Sequence, residues 1–290
     1  MIGVAFALAM ASLAEADPAA RVASTPRPGP PPSASSQRVD AEFDLDPSEP
    51  DFSVVDLPTN LRLPRHRMTF RLTHRFSRSL GDGSFSDLAA DLFGLDSGAQ
   101  VGLGLRFGLF SGTRLSIDRT SDRTIEFEAQ QELLREGRGP VGASLRVSME
   151  GQDNFAQEYS PSLGLVVSRK LAGRGAVYLV PSWVGNTRTV PSAPIGDENS
   201  FVLGLGARLR VGSVMSIVGE LHPRIAGYRG DLGSGDPPSL ATFGIEARVG
   251  GHAFQLNFSN TLGTTPAQVA RGAQGHHGWF VGFNLTRKFY

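Results

Sequence analysis

From residue 67 onward the chain alternates apolar and polar side chains with a period of two, the spacing that sends successive side chains to opposite faces of a β-strand. Met68, Phe70, Leu72 and Phe76 interleave with Arg67, Thr69, Arg71, Thr73 and Arg75, and Leu103, Leu105 and Phe107 interleave with Gly102, Gly104 and Arg106. Val141, Ala143, Leu145, Val147 and Met149 repeat the pattern, as do Phe201, Leu203, Leu205, Ala207 and Leu209. Each run is about ten residues long, the length a tilted strand needs to cross a hydrocarbon layer. With the weaker runs, strands are expected at 67–76, 99–109, 113–120, 124–133, 141–150, 162–170, 175–184, 201–210, 214–222, 240–249, 252–260 and 279–289. The links at 110–112, 134–140, 171–174, 211–213 and 250–251 are short, and those at 77–98, 151–161, 185–200, 223–239 and 261–278 are long; 121–123 breaks the rule. Outer-membrane barrels join short periplasmic turns to longer external loops, and an even strand count leaves both ends in the periplasm. The expected fold is therefore all-β: an antiparallel up-and-down transmembrane β-barrel of about twelve strands occupying residues 57–290. A soluble periplasmic β-barrel or sandwich that binds an apolar ligand alternates too and is the alternative. It would point its apolar faces at a core, where a membrane barrel points them at lipid.

The segments without this alternation carry other signals. In the first long loop, Ser84 or Ser86 can cap a helix whose Phe85, Leu88, Ala89, Leu92 and Phe93 fall at spacings of three and four before Gly94. A short amphipathic helix is expected there, resting on the barrel mouth, with an inward constriction or an interfacial position as the other options. Met1–Ala14 is an uncharged apolar run that ends in small residues before Ala14-Glu15-Ala16, so residues 1–16 read as a signal peptide without a basic leading region. A buried N-terminal helix is the other reading. Residues 17–56 are rich in Pro, Ala and Ser and then acidic, and such composition offsets little ordering entropy. They are expected to form a disordered periplasmic tail, with a plug folded up into the barrel as the alternative. No later window holds the ~18 apolar residues of a membrane helix.

Composition sharpens this picture. The 35 Gly and 19 Pro suit many short segments and turns, and the absence of Cys excludes disulfides, thiolate zinc sites and cysteine nucleophiles. Net charge is zero, yet residues 1–56 hold nine acids and three bases, which leaves the remainder at +6. The polar strand faces collect Arg71, Arg75, Arg106, Arg146, Arg208, Arg210 and Arg248 with Glu126, Glu128, Glu132, Glu150, Glu220 and Glu246 as candidate lumen lining. Either these groups form an ion-pair lattice that fills a narrow lumen, or they line a pore that selects solutes by charge. Seven Arg against six Glu would make any conductance weakly anion-preferring.

Catalysis finds little footing. A membrane phospholipase needs a His and a Ser nucleophile held together on the outer wall, and His74, His222 and His252 have no recognisable Ser partner. His276-His277 is read as a solvated pair, with no metal site, and Arg229-Gly230-Asp231 as a chance copy of an adhesion tripeptide. The glycosylation patterns at Asn257 and Asn284 lie in strands, and Gly102-Leu-Gly104 and Gly204-Leu-Gly206 lack phosphate-cradle spacing. The reading is a non-enzymatic outer-membrane protein without cofactor, either porin-like in passing small solutes or structural, with no nucleic-acid partner and no oligomeric state assigned.

The last strand, Gly278–Tyr290, puts Trp279, Val281, Phe283, Leu285 and Phe289 on one face. A strand ending in an aromatic residue resembles the signal read by the barrel-assembly machinery, although its apolar face is in phase with Phe289 and not Tyr290; closure against the first strand explains the same residues. The expected partners are that machinery and outer-membrane lipid. The segments Asp91–Gln100, His74-Arg-Phe76, Arg119–Thr124, Glu150–Phe155 and Tyr159–Leu163 resemble a family of bacterial outer-membrane β-barrels known only as a domain of unknown function. The resemblance covers roughly residues 60–290. It implies fold and location, and carries no activity with it.

Overall fold

A computed structural model describes residues 48–187, 199–229, 237–273 and 278–289. The strands are β1 (Met68–Phe76), β2 (Ala99–Phe110), β3 (Thr113–Thr120), β4 (Ile125–Leu134), β5 (Gly142–Gly151), β6 (Gln157–Lys170), β7 (Gly175–Val184), β8 (Ser200–Arg210), β9 (Met215–His222), β10 (Leu240–Val249), β11 (His252–Ser259) and β12 (Phe280–Phe289). A further segment, Arg224–Ala226, also pairs with β8 and continues β9 beyond Pro223. Proline has no N–H to give to a ladder, but its carbonyl still accepts from Leu203 N at 2.9 Å, so the strand resumes. Every strand pairs antiparallel with its chain neighbours, and β1 closes on β12 from Met68↔Phe289 to Arg75↔Gly282. The result is a closed barrel of twelve strands, with no free edge.

Burial along the strands runs opposite to that of a soluble protein. In β1, Thr69, Arg71, Thr73 and Arg75 are buried, while Met68 on the opposite face is 39% exposed. The same inversion leaves Leu103, Phe127 and Phe243 at 47%, 47% and 52% exposed and Arg208 at 0%. Apolar side chains form the outer wall and polar ones the interior, which overturns the soluble alternative: its apolar faces would have met in a core. Aromatics flank the band, as expected at membrane interfaces. Phe127, Phe155 and Tyr159 cluster edge to face at centroid spacings of 5.1 Å towards the long-loop end, and Phe243 meets Trp279 at 5.6 Å. Phe107, Phe254 and Phe289 sit towards the other end.

The expected strands match the observed ones within two residues at most boundaries; β6 differs, starting at Gln157 instead of residue 162. Ser160-Pro161 reads as a breaker, yet Pro161 forfeits only one N–H and its carbonyl accepts from Gly185 N at 2.8 Å. The first long loop holds the expected helix, α1 (Phe85–Ala90), with Ser84 and Asp87 capping each other's backbone. It lies outside the lumen, with none of its residues buried. Two other segments fill the interior instead. Residues 48–66 enter from the short-turn end, and the stretch after β11, with a second helix α2 (Pro266–Arg271), folds in from the long-loop end.

Candidate functional site

Residues 48–56 were expected in a periplasmic tail; they are instead among the most buried in the molecule, with Phe52, Val54 and Val55 at 0% exposure. The tail reading underweighted these apolar residues because they stand among acids and show no clean period. They form one arm of a hairpin closed by Val54 N donating to Leu57 O at 2.8 Å and Thr59 N donating to Phe52 O at 3.0 Å. Its open end lies near the barrel's short turns, where Lys288 donates to Pro50 O, Thr286 Oγ1 donates to Asp51 at 2.8 Å and His66 N donates to Gly108 O at 2.7 Å. Its tip, Val55-Asp56, rises to the level of Arg75, one residue short of the end of β1.

A hairpin tip leaves backbone amides without strand partners, and buried amides need acceptors. Glu220 on β9 supplies them, accepting from Val55 N, Asp56 N and Leu57 N at 2.9–3.1 Å. In return the Asp56 carboxylate reaches Arg71 at 3.3 Å and Arg75 at 3.1 Å. Wall side chains hold the arms: Arg208 Nη2 donates to Ser53 O at 2.8 Å, Gln255 to Val54 O at 2.6 Å, Asn284 to Val55 O at 3.2 Å and Gln130 to Thr59 O at 3.0 Å. Glu49, buried at the foot of the hairpin, accepts from Asn60 N at 3.1 Å, and burial pushes its carboxyl above the ordinary carboxylate range.

One sector of this polar lumen is apolar. Val54, Val55 and Leu57 pack on Val166, Ala176, Tyr178, Val180 and Val218 of β6, β7 and β9. A Cβ built on Gly204 or Gly206 would overlap the Leu57 methyl groups, so the two glycines of β8 form a slot for that side chain. Burying each such apolar side chain contributes about 1.5–3 kcal/mol. Phe52 lies among cations, with Arg106, Arg114 and Lys288 at 5.9, 5.4 and 5.5 Å from its ring centroid.

The second insert was expected as an external loop. Thr265 precedes α2 and Pro266 opens it, and Ala267 and Ala270 are buried against Val184 and Val202. Glu150 accepts from Ala267 N at 3.0 Å at the helix start, and Arg224 Nη1 donates to the carbonyls of Ala270 and Arg271 at 2.8 and 3.0 Å at its end. An acid at the amide end and a base at the carbonyl end both oppose the exposed dipole charges. Thr-Pro at the start and Gly272 after the end were the available signals, carried by a helix of only six residues.

Between the two inserts the lumen keeps two adjoining spaces. One is bounded by Asp56, Arg71, Arg106, Asp118, Glu126 and Thr264 among others; its neighbour shares Asp56, Arg146 and Thr264 and adds Val180, Val202 and His222.

Of the lumen residues expected from sequence, Arg71, Arg75, Arg106, Arg208, Glu126, Glu150, Glu220 and Glu246 are inward and buried. Arg208 and Glu246 pair at 2.9 Å, and Arg146 bridges Glu126, at 2.9 Å, and Glu128. Three sit at the short-turn rim: Arg210 is exposed and donates to Gly212 O at 2.9 Å, Glu132 lies 3.9 Å from Arg62, and Arg248 is half-buried. Sequence reasoning missed Arg114, Asp118, Gln130 and Lys288, on the inward faces of β3, β4 and β12, together with Glu49, Asp51 and Asp56 of the hairpin. With them the interior no longer tilts towards cations. His74 faces outward, stacked on Phe283 at 4.8 Å; His222 lies 3.4 Å from Glu220; His252 is at the rim beside Arg287. Asn257 and Asn284 are buried in the lumen. Residues 1–47, His276-His277 and the Gly230-Asp231 pair fall outside the described residues.

A family model for a membrane bound beta barrel domain, DUF5777, matches residues 51–289. The chain belongs to this family. The DUF5777 match opens at Asp51 and so takes in the hairpin from that residue onward. Among solved structures, a NanC porin superposes with a TM-score of 0.50 at 8% identity, over 77% of this chain and 99% of that one. An outer-membrane channel from Pseudomonas putida F1 gives 0.48 at 12%, over 78% and 97%, and outer membrane phospholipase A from Escherichia coli 0.41 at 11%, over 77% and 92%. The porin likeness concerns fold alone. No curated protein matches the chain. This DUF5777 chain is thus a membrane-bound β-barrel whose lumen is occupied from both ends.

Proposed function

We propose that this barrel is a stoppered channel: small polar solutes pass when the N-terminal hairpin leaves the lumen, and the barrel is closed while it is docked. The observation that carries this reading is the hairpin's route, in and out through one end, beside a polar chamber that it closes from below. A segment that enters and returns at the same end is withdrawn without breaking a strand pairing. A purely structural filler would have no need of a slot and a reciprocal charge lock specific to one conformation. The chamber wall carries Arg71, Arg106, Arg114 and Arg146 against Asp56, Asp118, Glu126 and Glu128, a balance that supports weak ionic selectivity. The reading includes no catalysis, since none of the three strand histidines stands beside a serine nucleophile among the described residues. Export by the N-terminal apolar run, and recognition of β12 by the barrel-assembly machinery, complete it.

Planar-bilayer recording of the full chain and of a variant lacking residues 48–60 tests the proposal. Rare, brief openings are expected from the full chain and sustained conductance from the shortened one. A shortened barrel that is folded and inserted yet never conducts would end the channel reading and leave a structural role.

A further inference from the structure

The charges around the polar chamber pair off almost completely. Arg71 is 3.3 Å from Asp56, Arg146 is 2.9 Å from Glu126, and Arg114 is 3.7 Å from Glu128. One cation and one anion remain. Arg106, 6% exposed, donates from Nη2 to Ser53 Oγ at 3.2 Å, while its buried Nη1 has no hydrogen-bond partner. No hydrogen bond or ion pair within 4 Å joins Asp118 to any described residue, and its carboxylate lies over Gly104, where a Cβ would overlap Oδ1. Gly104 and Arg106 are two positions apart on the same inward face of β2, about 7 Å along the strand. Gly102 and Gly104 supply the room, since any side chain there would fill the space that Asp118 and Thr73 border.

We propose that this chamber is a binding subsite for a small zwitterion, of the α-amino acid class, with its carboxylate on Arg106 and its ammonium on Asp118. The chemistry follows from what is left over. A buried guanidinium with an unused donor and a carboxylate that feels Arg106 and Arg71 only at a distance, without a hydrogen bond to either, each gain from a charge-assisted hydrogen bond. A ligand carrying both charges satisfies the two at once and leaves the balanced chamber neutral. A bare anion or cation would leave one group unpaired and add net charge to a low-dielectric space. The inference rests on reading the chamber as part of a solute path. It names the class of solute that pauses there.

Calorimetric titration of the full chain in detergent with L-alanine, acetate and methylammonium, the zwitterion and its two halves, tests it at constant ionic strength. L-alanine is expected to bind saturably and at least about tenfold more tightly than either half, about 1.4 kcal/mol. Asp118→Asn should remove the advantage over acetate, and Arg106→Gln the advantage over methylammonium. Gly104→Ala keeps every charge but displaces the Asp118 carboxylate, and should lose L-alanine binding while the barrel keeps its heat-modifiable gel mobility. L-alanine binding no tighter than acetate or methylammonium in the wild type overturns the proposal without recourse to any variant. So does wild-type preference in a folded variant. Because the titration reads solute binding to the closed chain and the bilayer test compares the conductance of full and shortened chains, a failed subsite and a failed channel give different results.

Discussion

The two inserts fill the same lumen by different means. The hairpin joins the barrel through one covalent connection, at β1, and is held by side chains reaching from nearly every part of the wall to its backbone. The α2 insert is anchored on both sides by β11 and β12, and is fixed by contacts at its two helix ends. What the hairpin can do, leaving as a unit, the α2 insert can do only by stretching between two strands. The first has the layout of a stopper and the second of a fixed constriction. Their binding chemistry differs too: the hairpin adds to its backbone contacts a charge lock at the tip, Asp56 with Arg71 and Arg75, whereas α2 is held at its two ends by Glu150 and Arg224.

The largest test of this contrast is Asp56→Ala, which leaves Arg71 and Arg75 without their buried carboxylate. Breaking such a group costs about 3–5 kcal/mol. Hydrogen exchange should show the amides of Val54 and Thr59 losing protection by two to three orders of magnitude while β-strand amides keep theirs; strand amides exchanging in parallel would mean hairpin and barrel are one cooperative unit. Next comes Glu220→Gln. It removes the charge from an acceptor of three tip amides, for a cost of about 1.5–3 kcal/mol, and should raise the frequency of channel openings about tenfold or more. Arg224→Ala should act more weakly and in a different place. Losing its bonds to the α2 carbonyls costs about 1 kcal/mol, so exchange at Val269 and Gly272 should quicken with the hairpin amides unchanged.

The smallest expected effect is of pH. Burial raises the Glu49 carboxyl above its ordinary value of 4.5. Its contribution to docking is fully present below pH 4.5 and is lost as pH rises through the raised value, because the native form binds the proton more tightly. Hairpin protection should therefore be greater in acid than at neutral pH, and Glu49→Gln should flatten that dependence. A steeper loss of protection in acid would assign control to another group.

The barrel wall was legible in the sequence because period-two alternation is a local signal, repeated in twelve strands and punctuated by turns of opposite lengths. The inward charges followed from the same phase, and Arg114 and Asp118 escaped only because β3 was too short to display its polar face as a run. The inserts were not legible. Val54, Val55 and Leu57 are buried by partners such as Val166 and Val218, more than a hundred residues away, and no local period marks them. Glu220 reads as one more lumen acid until the amides it accepts are seen. The same holds for α2, whose Pro and Gly boundaries are local but whose inward turn depends on Glu150 and Arg224.

The hairpin's return to its point of entry also fixes how the molecule answers to force. A tether pulling on the chain before residue 48 loads the arm of residues 48–55 first, and its contacts with the wall can yield in sequence, with no strand of the barrel under tension. Releasing residues 51–64 would lengthen the chain by roughly 45 Å, at about 3.4 Å per residue, before the first ladder bond of β1 is strained. Mechanically the barrel is thus a rigid ring with a fuse in series, and tension arriving at the short-turn end is converted into a release of defined total length.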